Sequence, residues 1–252
     1  MTLNRRFFAL AATSFVIASS AQAWSWSFGS GERVNGSGEI ASETRDVGSF
    51  DAVALSGGFK VIVRQNSKTS LELKADKNLL ALIETKVVEG SKGRTLEISP
   101  KRGFNLAATV TPVITLDMAQ LRALSIAGSG DVRVEAMKTA SVDASIAGSG
   151  GIHFTDLDSD RLGVKVVGSG DITATGRVDK LDVSVAGSGD VKLRGLAAQD
   201  VKVSITGSGD AQVQAIKTLK VSVSGSGDVG YVGSPEISMS VAGSGKVRKL
   251  QN

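Results

Sequence analysis

The tripeptide Gly-Ser-Gly recurs at a nearly constant interval through the second half of the chain. Seven copies begin at Gly128, Gly148, Gly168, Gly187, Gly207, Gly225 and Gly243, in steps of 20, 20, 19, 20, 18 and 18 residues. A fixed period near 20 is the signature of a solenoid, in which each unit buries its apolar face only by stacking on its neighbours. This constrains shape and assembly more tightly than it constrains chemistry.

Aligning the copies on their glycines shows what each unit is. In the first, Leu124, Ile126, Gly128, Gly130, Val132 and Val134 share one parity, and Ser125, Ala127, Ser129, Asp131, Arg133 and Glu135 hold the other. The fourth repeats the pattern: Leu181, Val183, Val185, Gly187, Gly189, Val191 and Leu193 alternate with polar or small residues. Apolar residues at every second position mean a β-strand with one buried face. The alternation passes through Gly-Ser-Gly without a phase reset, which argues against a hairpin turn. The ladder glycines, Gly128 and Gly130, Gly148 and Gly150, Gly168 and Gly170, Gly187 and Gly189, Gly207 and Gly209, Gly225 and Gly227, and Gly243 and Gly245, are read as inward positions where the strand bends and a side chain does not fit.

Five to seven residues separate the strands, with single apolar anchors at Met137, Leu157, Val178, Leu196 and Ile216. None of these segments is long or periodic enough for a crossover helix. Parallel strands joined by short connections make an all-β fold: a single-chain parallel β-helix (solenoid) of about seven rungs. At ~4.8 Å per rung this is a rod section on the order of 35 Å long. A series of antiparallel hairpins is the competing architecture, but it does not require every unit to repeat one phase.

The first 23 residues carry an export signal. Met1 to Arg6 is short and basic, Phe7 to Ala18 is apolar, and Ala21-Gln22-Ala23 fits the small-x-small cleavage pattern. The apolar run is too short for a transmembrane helix. Cleavage after Ala23 makes Trp24 the mature N-terminus and places the protein in the periplasm or outside the cell. Asn4-Arg5-Arg6-Phe7-Phe8 also fits a twin-arginine signal, although the general secretory route is the commoner destination of such a pattern. Residues 24–48 form a polar lead-in with a further Gly-Ser-Gly at Gly36. Residues 49–120 lose the repeat after a degenerate rung from Val53 to Val63. They are read as an N-terminal β cap with the first rungs, a separate binding domain being the alternative; residues 121–252 are the repeat β-helix. Within the cap, Thr85 to Val88 and Arg94 to Ser99 read as a hairpin, and Asp76 as the cap of a helical turn through Leu79–Leu82.

Three segments in this order carry a family resemblance: Thr44-Arg45-Asp46-Val47-Gly48-Ser49-Phe50-Asp51-Ala52-Val53, Asp76-Lys77-Asn78-Leu79-Leu80-Ala81-Leu82-Ile83-Glu84-Thr85, and the Gly-Ser-Gly-Asp ladder. Over roughly residues 40–250 the chain resembles the head GIN domain family of autotransporter adhesins, a domain of unknown function. The resemblance implies a secreted bacterial β-helical protein with an adhesive role and supplies no catalytic residues.

The remaining chemistry is sparse. The full chain has 29 basic and 25 acidic residues, and loss of Arg5 and Arg6 with the signal brings it nearer neutrality. No basic stripe interleaved with aromatics points to nucleic acid. Zero cysteines exclude disulfides and lipid attachment at an N-terminal cysteine. With His153 as the sole histidine and no cysteine, the common nucleophile-base pairs and zinc sites are nearly excluded, so the expectation is a protein that is not an enzyme. Asp171, Asp190, Asp210 and Asp228 each follow a Gly-Ser-Gly and form a column, with Asp131 beyond the gap at Gly151. Their mutual repulsion is offset either by calcium, the only candidate cofactor, or by backbone N–H groups at the bend. A parallel column of Ser129, Ser149, Ser169, Ser188, Ser208, Ser226 and Ser244, flanked by Ala127, Ala147 and Ala186, predicts a flat outward face. Such a face suits a surface glycan or protein, or self-association. A periplasmic scaffold without an external ligand is the second reading, and a polysaccharide-active enzyme the third.

Overall fold

The computed structural model of the chain describes residues 31–90 and 93–251. The export segment, residues 24–30 of the lead-in, residues 91–92 and Asn252 lie outside the described residues. Nineteen strands run through the described part: β1 Glu32–Asn35, β2 Ile40–Arg45, β3 Ala52–Ser56, β4 Lys60–Gln65, β5 Ser70–Asp76, β6 Ile83–Gly90, β7 Gly93–Pro100, β8 Phe104–Ala107, β9 Val113–Met118, β10 Ala123–Gly128, β11 Asp131–Val134, β12 Met137–Gly148, β13 Gly151–Gly168, β14 Asp171–Gly187, β15 Val191–Gly207, β16 Ala211–Gly225, β17 Val229–Val232, β18 Glu236–Gly243 and β19 Val247–Lys249.

Strands β10 to β19 form the parallel solenoid that the period requires. The register is set rung on rung: Ile126 lies over Ile146, then Val166, Val185, Ile205, Val223 and Val241. The seven glycine copies stack in the same order and bracket six complete turns. Each turn has three straight pieces, because pairing lapses at two corners besides the glycine corner. In β13 these lapses fall at residues 155–156 and at Asp160. Asp156 is left-handed at φ 58, and Gly176 takes φ 121 at the same corner one turn later.

The core is a set of like-on-like columns. Apart from the last rung, the inward valines, isoleucines, leucines and alanines are essentially fully buried. β-branched residues suit this arrangement, since their restricted rotamers already match a pleated surface. Burying one Val, Leu or Ile contributes about 1.5–3 kcal/mol, an upper figure because unfolded chains are partly compact.

The segments read from sequence as coil connections are strand pieces that form a third face. Met137, Leu157, Val178 and Leu196 are buried there as anchors, but Ile216 is 45% exposed. The repeat is two residues shorter at that point. Pairing slips between Leu193 and Ala197, and Gln214 and Ala215 take the positions opposite Ala197 and Ala198. Ala215 therefore fills the interior and Ile216 is turned out.

Residues 52–118 continue the stack. β3 and β4 pair parallel beneath β10 and β11, and β7 and β9 pair parallel beneath β3 and β4. The direction then reverses: β6 is antiparallel to β7, β5 to β9 and β2 to β5, which confirms the β6–β7 hairpin. A short parallel pair, β1 with β8, lies apart from this sheet. A one-turn 3-10 helix covers Leu80–Leu82, but Asp76 does not cap it; Leu79 holds the cap position without a side-chain bond. The Asp76 carboxylate instead accepts the Gly38 N–H at 2.8 Å, the Thr109 N–H at 2.9 Å and the Thr109 hydroxyl at 2.6 Å.

Candidate functional site: a flat face between two charged columns

The glycine corner positions everything beside it. In each copy up to Gly225 the first glycine is partly buried, the serine exposed and the second glycine buried. All seven first glycines have φ between 117 and 132, a region that side chains rarely enter. The backbone is satisfied vertically: Ser169 N–H donates to Gly148 O at 2.9 Å and Asp171 N–H to Gly150 O at 3.0 Å. A Cβ on Gly170 would lie 2.6 Å from both Gly150 O and Ile146 Cγ2. The rungs touch through backbone here, so the corner has no room for an inward side chain.

The serine column, Ser129 to Ser244, is exposed throughout. Ala127 is half-buried, whereas Ala147 and Ala186 lie fully on the outer surface beside it. Ser184 and Ser222 extend the small-residue face, while Lys165 and Val167 interrupt it. One margin of this face carries ion pairs along the rungs: Arg161 donates to Asp143 at 2.9 Å and reaches Asp182 at 3.3 Å. The hydrogen bond from Arg161 holds the two side chains in register across neighbouring turns.

The other margin is the aspartate column. Asp171 Oδ1 accepts the Asp190 N–H at 3.2 Å, Asp210 Oδ1 accepts the Asp228 N–H at 2.8 Å, and Asp228 Oδ1 accepts the Lys246 N–H at 2.9 Å. Asp190 is also paired with Lys192 Nζ at 3.3 Å. Like charges one rung apart repel by about 1 kcal/mol in a watery setting, and a charge-assisted bond to backbone N–H contributes about as much in the opposite sense. The carboxylates stand one per turn in a line. Among the described residues no group of three or more His, Cys, Asp or Glu converges as a metal site does. Gly151 interrupts the column; a Cβ there would lie 2.5 Å from Asp131 Oδ1, the movable end of an exposed side chain.

His153 sits in the rung wall with Nδ1 2.7 Å from the Thr173 hydroxyl. Sequence reasoning missed the polar clamps of the cap. Arg45 donates to Ile83 O at 2.6 Å, Leu80 O at 2.7 Å and the Thr85 hydroxyl at 3.2 Å. It thereby ties β2 to β6 and lines an open concavity with Asp46, Val47, Glu84, Thr85 and Lys86. The Ser70 hydroxyl, joined by Arg64, holds the Asp117 carboxyl below its usual range. Arg122 does the same to Asp51. These partners lie 47 to 71 residues apart, so no local pattern announces them.

Known structures share this architecture. A protein from Parabacteroides distasonis ATCC 8503 described as a "putative lipid binding protein" is 28% identical, with a TM-score of 0.71 over 87% of this chain and 100% of that one. A "putative adhesin" from Bacteroides fragilis NCTC 9343 is 26% identical, with a TM-score of 0.81 over 86% and 100%. Another from Parabacteroides merdae ATCC 43184, at 21% identity and a TM-score of 0.70 over 87% and 99%, shares the fold. No curated protein matches the chain. The family model described as "Putative auto-transporter adhesin, head GIN domain" matches residues 49–235, spanning both the cap and the glycine ladder, and the chain belongs to that family.

Proposed function

We propose that the mature chain is an exported adhesin-type protein, without catalytic activity or a resident cofactor, that binds a surface glycan or protein through the flat serine face. The observation that carries this reading is the column of exposed hydroxyls from Ser129 to Ser244, repeated at the ~4.8 Å rung spacing. A periodic partner meets the same group at every rung, so many weak contacts add without new chemistry at any one of them. Family membership supports an adhesive role, and the export signal supports a site of action outside the cytoplasm. Among the described residues no helix is long and apolar enough to cross a membrane.

Protease treatment of intact cells, against cells whose outer envelope has been opened, tests the location. Digestion on intact cells, or recovery from the medium, is expected. Protection until the envelope is opened would transfer the protein to the periplasm and favour a scaffold without an external ligand. The face itself is tested by binding of the purified protein to polysaccharides, cell surfaces and lipid vesicles. The vesicles are included because of the description of the Parabacteroides distasonis relative. Ser184→Arg combined with Ala186→Arg should abolish binding without lowering Tm; unchanged binding would remove the face from the function.

A further inference from the structure

The two ends of the solenoid are finished differently. At the cap end, reversed strands close the interior, and Leu71, Leu73, Ile83, Leu96 and Ile98 are at most 2% exposed. At the other end the inward column positions pass to β18, where Ile237, Met239 and Val241 are 37%, 63% and 39% exposed. They continue the columns of Leu219, Val221 and Val223, each at most 2% exposed. The only strand paired with β18 among the described residues is β16, so its outer edge presents free N–H and C=O groups. An apolar end beside an open strand edge is a template for one more strand.

We propose that this end receives the segment Trp24-Ser25-Trp26-Ser27-Phe28 of a second copy, so that copies join end to end. The proposal rests on the export reading, under which Trp24 is the first residue. The segment lies outside the described residues, and its sequence alternates with the β period. Trp24, Trp26 and Phe28 fall at i, i+2 and i+4, as do Ile237, Met239 and Val241. Aromatic side chains each cover about 150–250 Å², enough for three of them to close the exposed end. Ser25 and Ser27 would extend the outward polar pattern of Ser238 and Ser240.

Chain length decides against a segment of the same copy. β1 is held to β8, beside the cap, and four peptide steps from Phe28 to Glu32 reach at most ~14 Å. From β7 to β18 there are eight strand-to-strand steps, or ~38 Å. Charge decides against two such ends meeting each other. Lys246, Arg248 and Lys249 surround the end, with Glu236 opposing them, so tail-to-tail contact would bring like charges together. Trp24 to Gly31 has no charged side chain.

The mass of the protein recovered from producing cells is read first and should correspond to a start at Trp24; a mass that retains residues 1–23 ends the export reading. Sedimentation over a concentration series then tests docking. The wild-type chain should form species of increasing length. Met239→Glu removes the acceptor, and Trp24→Ser with Trp26→Ser removes the donor, so each variant alone should be monomeric. Their 1:1 mixture should stop at a dimer. A synthetic peptide of residues 24–31 should bind wild type, revert its assemblies to monomers and fail to bind Met239→Glu. This arm depends on neither the folding of the donor variant nor the cleavage position. A wild-type chain that stays monomeric and ignores the peptide, or a donor variant that still dimerises, overturns the proposal.

Discussion

A single glycine copy in mid-rod gives the most demanding test of how the ladder works. At Gly168 the backbone has φ 117, and an added Cβ would lie 2.5 Å from Gly148 O. A side chain in so sparsely populated a region costs about 1–3 kcal/mol. Forcing a carbonyl on the adjoining rung to retreat costs a further ~1–3 kcal/mol. Gly168→Ala should therefore destabilise by about 4 kcal/mol, and for a chain of this size Tm should fall by roughly 8–16 °C. Gly170→Ala meets only the second cost, because its backbone angle is ordinary while Gly150 O and the buried Ile146 Cγ2 must both give; about 2 kcal/mol follows. Ser169 is exposed, so Ser169→Ala should stay within about 0.5 kcal/mol. Thermal melting gives the order, and hydrogen exchange gives the place: in a stack where each rung touches only its neighbours, protection should fall first around Gly148 and Gly187. The reasoning is refuted if Ser169→Ala costs as much as Gly168→Ala, or if Gly168→Ala melts like wild type.

Three other perturbations separate structural roles from binding roles. Asp210→Asn keeps an oxygen acceptor for the Asp228 N–H and relieves column repulsion, so it should leave Tm unchanged or slightly raised, whereas Asp210→Ala should cost about 1 kcal/mol; a rise in Tm with calcium, lost on chelation and in both variants, would instead assign the column to metal. Asp51, Asp76 and Asp117 all have carboxyls held below their usual range, chiefly by Arg122, the Thr109 hydroxyl and the Ser70 hydroxyl respectively. A depressed folded pKa means stability that is complete above the ordinary carboxylate range and lost as pH falls through the folded value. Hydrogen exchange near pH 3 should thus open the cap before the rungs, and Asp117→Asn should flatten that pH slope; uniform opening along the rod would contradict the assignment. Arg45→Ala strips donors from Ile83 O and Leu80 O, and equilibrium unfolding should show a loss of about 2 kcal/mol.

The parallel rungs were legible because the same instruction is written seven times. One copy of Leu-x-Ile-x-Gly-x-Gly is an ambiguous strand, but seven in phase admit few arrangements other than stacking. The third face was read as coil because a three-residue piece such as Met137 to Thr139 completes only one alternation. Ile216 misled for a related reason: its apolar character says inward, and only the register slip opposite Ala197 shows that Ala215 fills the interior. The cap was legible as strands and not as an arrangement. Its hairpin is local, whereas the β2–β5–β9 order and the Arg45 and Asp76 clamps join residues 26 to 47 apart in sequence. Asp76 shows the limit of local rules, since a capping residue in the right place found three better donors elsewhere.

The division of labour within each turn separates what holds the rod together from what it presents. The inward columns and the glycine corner are fixed by packing and by backbone contact, so a substitution there is opposed by several kcal/mol. The outward positions of the same strands meet no such constraint, and this chain fills them with Ser184, Ser188 and Ser222, and with Lys165 and Val167 where the face is interrupted. The ladder therefore holds a surface at a fixed pitch while leaving its chemistry free to vary. The ends obey a different rule, because a stack that is stable at every internal rung must still be stopped at both. The cap stops one end by reversing strand direction. The exposed Ile237, Met239 and Val241 show that the last rung offers no comparable device. Ends finished so differently among the described residues give the stack a direction, which is what the proposed head-to-tail joining of copies requires.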